Sequence, residues 1–129
     1  MKNGKQKIND MNKQGKVWGS TSNLFAKNNV SIHRIHIKPG GYCSKHKHNH
    51  KYNMFYVEEG KLNIEVWKND YDLIDITTLQ SGEHTVVKPQ EFHRFHNTSP
   101  DEAIVYEIYW TELLESDIER ETVGGNEEV

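Results

Sequence analysis

Three histidines stand at alternate positions in the stretch SKHKHNHKYN, residues 44–53. In an extended strand, side chains two residues apart point to the same face, so His46, His48 and His50 would act together. A helix would spread them around its circumference. Neutral imidazole is a common ligand of divalent transition metals. The spacing therefore predicts a metal-binding strand, with a solvated surface strip as the alternative.

A fourth histidine, His93, follows about 45 residues later in the stretch FHRFHN. Alternation along this second strand would turn His93 and Phe95 inward and Arg94 and His96 outward. Two hairpins could then bring His46, His48 and His93 together on the inner face of a small barrel, beside apolar residues such as Phe55, Val57 and Phe95. His33, His36 and His84 have no such partners in the sequence and are interpreted as ordinary strand residues.

The elements that must position these histidines are short strands. β-rich segments cover residues 29–37, 53–60, 61–68, 71–79, 84–87, 92–97 and 103–110, separated by turn-forming Pro, Gly, Asn and Asp. Turn signals at this frequency favour an all-β sandwich or barrel over alternating strands and helices. One helical turn is predicted near TELLESDIER, residues 111–120.

Composition narrows the class of protein. The chain has 129 residues, enough for a single domain with a core of its own, and 16 basic residues against 19 acidic ones. This near-neutral balance predicts neither nucleic acid nor a membrane surface as a partner. One cysteine, Cys43, cannot form an internal disulfide, and there is no apolar segment long enough for a membrane helix. We expect a cytoplasmic protein.

The two ends of the chain differ from its middle. Residues 1–16 hold five lysines among Asn, Gln and Gly, which predicts a flexible arm. The stretch from residue 111 onward is strongly acidic and ends in a polar tail after Gly124 and Gly125. The expected organisation is an arm at 1–16, a β-barrel at 17–123 and a disordered tail at 124–129.

The glycine and histidine spacings resemble the two motifs of the cupin family. The first motif is G40-GYCSK-H46-K-H48-NHKY-N53-MFYVEE-G60, with asparagine where the family has glutamate. The second is G82-EHTVV-K88-P89-Q90-EF-H93-RFH-N97, in which the family's proline and second glycine fall on Lys88 and Gln90. The adjacent Pro89 suggests that the turn is kept in a shifted register. The two motifs together cover residues 40–97, and the resemblance implies a cupin double-stranded β-helix, a jelly-roll barrel.

The family resemblance implies a metal site formed by His46, His48, Asn53 and His93. His50 has the same parity as His46 and His48 and could replace one of them. Asn53 offers only a neutral amide oxygen, so the ligands would leave the full charge of the cation in place and disfavour manganese. We therefore expect one divalent transition metal per chain: zinc, nickel or iron(II). The alternative is a site that has lost its metal.

A second resemblance lies in the stretch AIVYEIYWTELLESDIERETVGG, which is similar to the tail of the cupin domain in type II mannose-6-phosphate isomerases. The matching positions are Glu107-Ile108 and the segment Asp117 to Arg120. This similarity implies that Glu107 is a catalytic carboxylate that moves a proton between an aldose and a ketose. The alternative is that Glu107 pairs with a surface cation.

Three functions are compatible with these features. The first is a metal-dependent isomerase or epimerase of a sugar or sugar phosphate, with Arg94 or Lys88 as an anchor for phosphate. The second is a three-histidine iron(II) enzyme resembling thiol dioxygenases, and the third is a non-catalytic carbohydrate-binding or sensing cupin. We also expect a homodimer, as in other small cupins, because a monomer would poorly cover the apolar groups Trp18, Leu24 and Phe25.

Overall fold

The computed structural model describes residues 13–68, 73–112, 119 and 121–127. Within these ranges the chain forms strands and loops, with no helix that is long and apolar enough to cross a membrane. The nine strands are β1 (Lys13–Lys16), β2 (Gly19–Lys27), β3 (Val30–Ile37), β4 (Tyr52–Glu59), β5 (Lys61–Lys68), β6 (Leu73–Gln80), β7 (His84–Val87), β8 (Phe92–His96) and β9 (Ala103–Trp110).

Two antiparallel sheets form the cupin double-stranded β-helix predicted from the sequence. The larger sheet has the strand order β1-β2-β3-β9-β4-β7, and the smaller has the order β6-β5-β8. Apolar residues on the strands from β3 to β9 face the space between the sheets, which excludes water from their side chains. The core consists of Ile35, Ile37, Phe55, Val57, Leu62, Ile64, Leu79, Val87, Phe95, Ala103 and Val105. The expected interior positions Phe55, Val57 and Phe95 are therefore confirmed.

The first ordered strand begins earlier than the composition suggested. The composition predicts a flexible arm at residues 1–16, yet residues 13–16 form β1 and pair with Gly19–Ser22 of β2. Their side chains are all exposed, so the pairing comes from backbone hydrogen bonds, which polar residues make as well as apolar ones. Residues 1–12, 69–72 and 128–129 lie outside the described residues, as does most of the predicted helical turn at 111–120.

The segment containing Trp18 bears on the expected dimer. Trp18 packs against the core, with its ring 4.9 Å from that of Phe95 in an edge-to-face arrangement. Leu24 is partly buried at a bulge in β2, and Phe25 remains about half exposed. Because the chain itself covers much of this apolar surface, the homodimer stays a prediction.

Candidate metal centre

His46 and His93 are held side by side by their own backbones. His46 lies in the extended connection between β3 and β4 rather than in a regular strand, and its N–H donates to the His93 carbonyl at 3.0 Å. The reciprocal hydrogen bond from His93 to His46 measures 2.8 Å. The two hydrogen bonds form an isolated antiparallel β-bridge, which places the two imidazole centroids 4.5 Å apart.

His48 completes a compact group of three imidazoles. Its ring centroid lies 5.1 Å from that of His46 and 5.6 Å from that of His93. One nitrogen from each of the three rings lies within 4.8 Å of the others. His50 is exposed and is not part of this group. The structure thus brings together the three histidines favoured by the motif spacing and excludes His50.

Local hydrogen bonds orient two of these rings for ligation. The Nδ1–H of His46 donates to the Ser44 carbonyl at 2.7 Å, and that of His93 donates to the Glu91 carbonyl at 2.9 Å. With Nδ1 protonated in this way, each neutral ring keeps its lone pair on Nε2. A backbone acceptor behind the ring is the usual support of a metal-binding histidine.

The third ring leaves a polar atom without a partner. His48 Nε2 is buried and makes no hydrogen bond within the described residues. Burial, followed by the nearby imidazoles, lowers the pKa of His93 to about 4, and burial also lowers the pKa of His48. Both rings are therefore neutral near pH 7, the form that binds a cation. An orphaned nitrogen beside two oriented imidazoles fits a divalent transition metal.

Gln90 anchors the loop that carries His48. Its backbone N–H donates to the His48 carbonyl at 2.7 Å, and its side chain donates to the Asn49 carbonyl at 3.0 Å and accepts from Lys47 at 3.2 Å. Gln90 also has a φ of 73°, in the left-handed region that favours glycine. It occupies the position of the second motif's glycine, so the expected register shift does not occur. Pro89 and Gln90 are the central residues of a type II-like turn.

Asn53 is fully buried next to the three imidazoles. Its Nδ2 lies 3.5 Å from His93 Nε2 and 3.5 Å from Glu107 Oε2, whereas its Oδ1 has no partner among the described residues. An amide nitrogen does not bind metal. The predicted ligand, Oδ1, would face His93 only after the amide turns over, so in the orientation described Asn53 links His93 to Glu107.

Glu107 lies on the inner side of β9, opposite His33 of β3 and Phe55 of β4 in the strand register. Desolvation raises the pKa of this carboxyl, although hydrogen bonding with Tyr109 and Asn53 opposes the shift. Burial, followed by the charge of Glu107, likewise raises the pKa of Tyr109. Glu107 is therefore an interior group, and it forms no ion pair with a cation of the described residues. A carboxyl with a raised pKa in a cavity is suited to proton transfer.

A cavity of about 490 Å³ opens beside these groups. Its walls include Lys16, His33, Cys43, His46, Glu107 and Tyr109. Sequence reasoning missed His33, although its parity with the buried Ile35 and Ile37 predicts an inward side chain. Burial raises the pKa of the Cys43 thiol to about 12, so it stays protonated near neutral pH.

Neither residue expected to anchor a phosphate lies in this cavity. Arg94 is on the outer face of the smaller sheet, where its Nε donates to Glu65 at 2.5 Å. Lys88 is exposed and does not line this cavity. His96 also faces outward, with its Nδ1 3.5 Å from Glu65 Oε2, as alternation predicted.

Asn97 of the second motif has a structural role. Its side chain is fully buried, donates to the carbonyls of Ile37 and Asp101 at 3.1 and 2.8 Å, and accepts from Ser99. These hydrogen bonds fix the loop between β8 and β9. Asn97 thus supports the position of His93 on β8 without entering the site.

Comparison with known proteins finds a matching family model and solved structures with a similar fold. The family model described as Cupin domain matches residues 33–109. Similar solved structures include KdgF from Halomonas sp., with 14% identity and a TM-score of 0.67 over 81% of this chain and 90% of that one. An uncharacterized conserved protein with a double-stranded beta-helix domain from Klebsiella pneumoniae has 17% identity and a TM-score of 0.68 over 85% and 91%.

Larger proteins contain the same fold. Oxalate decarboxylase from Lactobacillus farciminis has 20% identity and a TM-score of 0.70, covering 82% of this chain but only 32% of that one. No curated protein sequence matches the chain. At these identities the solved structures define the fold alone, and the chemistry must be inferred from the side chains.

Proposed function

The chain belongs to the Cupin domain family, and on that premise we propose that it holds one divalent transition metal and acts on a sugar or sugar phosphate as an isomerase or epimerase. The metal ligands are His46, His48 and His93, whose donor nitrogens converge within 4.8 Å. The observation that carries this proposal is the buried, unpartnered Nε2 of His48 beside two rings whose Nδ1 atoms are already engaged.

The donor set favours zinc, nickel or iron(II). Three neutral imidazoles suit these ions, whereas magnesium, calcium and manganese prefer oxygen. When bound, such a cation supplies Lewis acidity, which polarises carbonyl and hydroxyl oxygens of a substrate. Asn53 could add its amide oxygen after a turn of the side chain.

Glu107 is the proposed proton carrier. Its carboxyl lines the same cavity as His46 and is within 3.5 Å of the Asn53 amide, so it lies close to the ligand group. In the protonated form it gives a proton to a substrate carbon or oxygen, and in the ionised form it removes one. Tyr109 and Asn53 orient the carboxyl through their hydrogen bonds.

The test combines metal content with isotope exchange. Protein without an affinity tag, loaded with zinc or nickel, is incubated with phosphohexoses in deuterated water, and exchange at the carbon next to the carbonyl is followed by NMR. Glu107→Gln should slow exchange by about 10²–10⁴-fold while its metal content is unchanged. Absence of exchange with every phosphohexose would refute the isomerase proposal, and absence of stoichiometric metal would refute the site.

A three-histidine iron(II) oxygenase is the second candidate. The observation that favours it is Asn53, which leaves three neutral imidazoles without the family's glutamate. Oxygen consumption by the iron-loaded protein with small thiols distinguishes the two reactions. Carbohydrate binding without turnover in either assay would instead support a sensing role.

A further inference from the structure

A second cavity adjoins the candidate metal centre through Tyr109. It has a volume of about 460 Å³ and is built from the β2–β3 turn, the residue before β4 and the residue after β9. Tyr109 lines both cavities, and its ring centroid is 5.0 Å from that of His48. Tyr109 is therefore a wall shared by the two cavities, and a group bound in the second cavity lies near the histidines.

Two lysines give the second cavity its charge. Lys27 and Lys51 both line it, and no carboxylate of the described residues does. Neither ammonium forms an ion pair with a carboxylate of the described residues. Lys51 Nζ lies 5.8 Å from the Tyr109 ring centroid, and its charge contributes to the lowered pKa of both His33 and His48. Lys51 thus lies close to the residues of the first cavity.

Neutral polar groups complete the lining. Hydroxyls of Ser31 and Thr111 and amides of Asn28 and Asn29 accompany the two lysines. Hydroxyl and amide N–H groups beside two ammonium groups are the donors that a phosphate monoester needs, because its three terminal oxygens all accept hydrogen bonds. The first cavity, by contrast, is lined by the carboxyl group of Glu107 as well as by Lys16.

We infer that the Lys27–Lys51 cavity binds the phosphate group of the substrate, while the sugar end lies at the histidines. This inference rests on the proposed function and narrows its substrate class to sugar phosphates. It also replaces Arg94 and Lys88 as the expected anchor, because those side chains line neither cavity. The attraction is electrostatic and should weaken as salt is added.

Calorimetry with the metal-loaded protein tests the assignment, using mannose 6-phosphate, mannose and a hexuronate as probes. We expect mannose 6-phosphate to bind at least tenfold more tightly than mannose. Lys27→Gln and Lys51→Gln should each weaken mannose 6-phosphate binding about tenfold, the usual effect of one charge-assisted hydrogen bond, and leave mannose unaffected. Lys88→Gln is the matched control and should match the wild type.

Three results would overturn the inference. They are unchanged mannose 6-phosphate affinity in both cavity variants, an equal loss in Lys88→Gln, or a hexuronate that binds more tightly than mannose 6-phosphate through the same lysines. Inorganic phosphate, followed by phosphorus NMR in metal-free protein, separates the two proposals. If the metal or the isomerase activity is absent, phosphate should still bind and depend on Lys27 and Lys51.

Discussion

Replacement of His48 by leucine should have opposite effects on the metal-free and metal-loaded protein. Without metal, His48 Nε2 is a buried nitrogen with no hydrogen bond. An unsatisfied buried polar group costs about 1–3 kcal/mol, so an apolar side chain of similar size removes that cost. The metal-free variant should therefore be as stable as the wild type or more stable by up to about 2 kcal/mol.

The metal-loaded protein should respond in the other direction. A ligand that binds only the folded state at 100 times its dissociation constant adds about 2.7 kcal/mol to the free energy of unfolding. For a domain of this size, about 3–5 °C in Tm accompanies each kcal/mol, which gives a metal-dependent rise of about 10 °C in the wild type. His48→Leu removes one of three ligands, so most of this rise should be lost.

Differential scanning fluorimetry with a chelator or with added zinc measures both effects in one experiment. His50→Leu is the matched control: it has the same spacing parity but is exposed and outside the ligand group, so its metal-dependent rise should equal that of the wild type. A full metal response in His48→Leu, or its loss in His50→Leu, would refute the assignment of ligands.

The remaining predictions concern neighbouring residues and pH. In the metal-free protein the folded pKa of His93, about 4, is below the ordinary value of 6.5, so the unfolded chain binds more protons between these values. The contribution of neutral His93 to the free energy of unfolding should be complete above about pH 6.5 and should fall by up to about 3 kcal/mol toward pH 4. If the free energy from urea unfolding depends on pH just as steeply in His93→Gln, this prediction is contradicted. Asn53→Glu should raise manganese affinity at least tenfold in metal titrations, because it adds a charged oxygen ligand. It should also lower the metal-free Tm, because two carboxylates would then meet at Glu107; unchanged manganese affinity would exclude position 53 from the ligand set. Gln90→Gly should relieve about 1 kcal/mol of backbone strain yet weaken zinc binding several-fold, since the loop carrying His48 loses its side-chain anchor, and equal zinc affinity would refute this role.

Much of the site could be predicted from the sequence because it depends on periodicity. Alternation along β8 predicts that the side chains of His93 and Phe95 point inward and that of Arg94 points outward, and all three directions are confirmed. The residues that were missed act through contacts between strands distant in sequence. His33 lines the first cavity because β3 pairs with β9, which places His33 opposite Glu107. Lys51 lines the second cavity because the β2–β3 turn lies beside it.

The sequence by itself determined the all-β class, the positions of most strands and the three histidines that converge. These follow from local patterns, namely alternating polarity, turn-forming residues and fixed spacing, which act within a few residues of the chain. Parity alone leaves His50 open as a replacement for His46 or His48, whereas the spacings to the motif glycine and to Asn53 favour His46 and His48. Only the fold excludes His50, because the turn at Gln90 holds the preceding loop in place and leaves residue 50 exposed.

The tertiary structure also decided the chemical surroundings of the histidines. The burial that keeps His93 neutral, the nearness of Glu107 to Asn53 and the pairing of residues 13–16 with β2 all arise from sheet pairing and packing. Such long-range contacts depend on the whole chain closing around one core, because desolvation and cross-strand distance are set by residues far apart in sequence. Local spacing therefore selects the ligands, and the closed barrel sets their protonation and their neighbours.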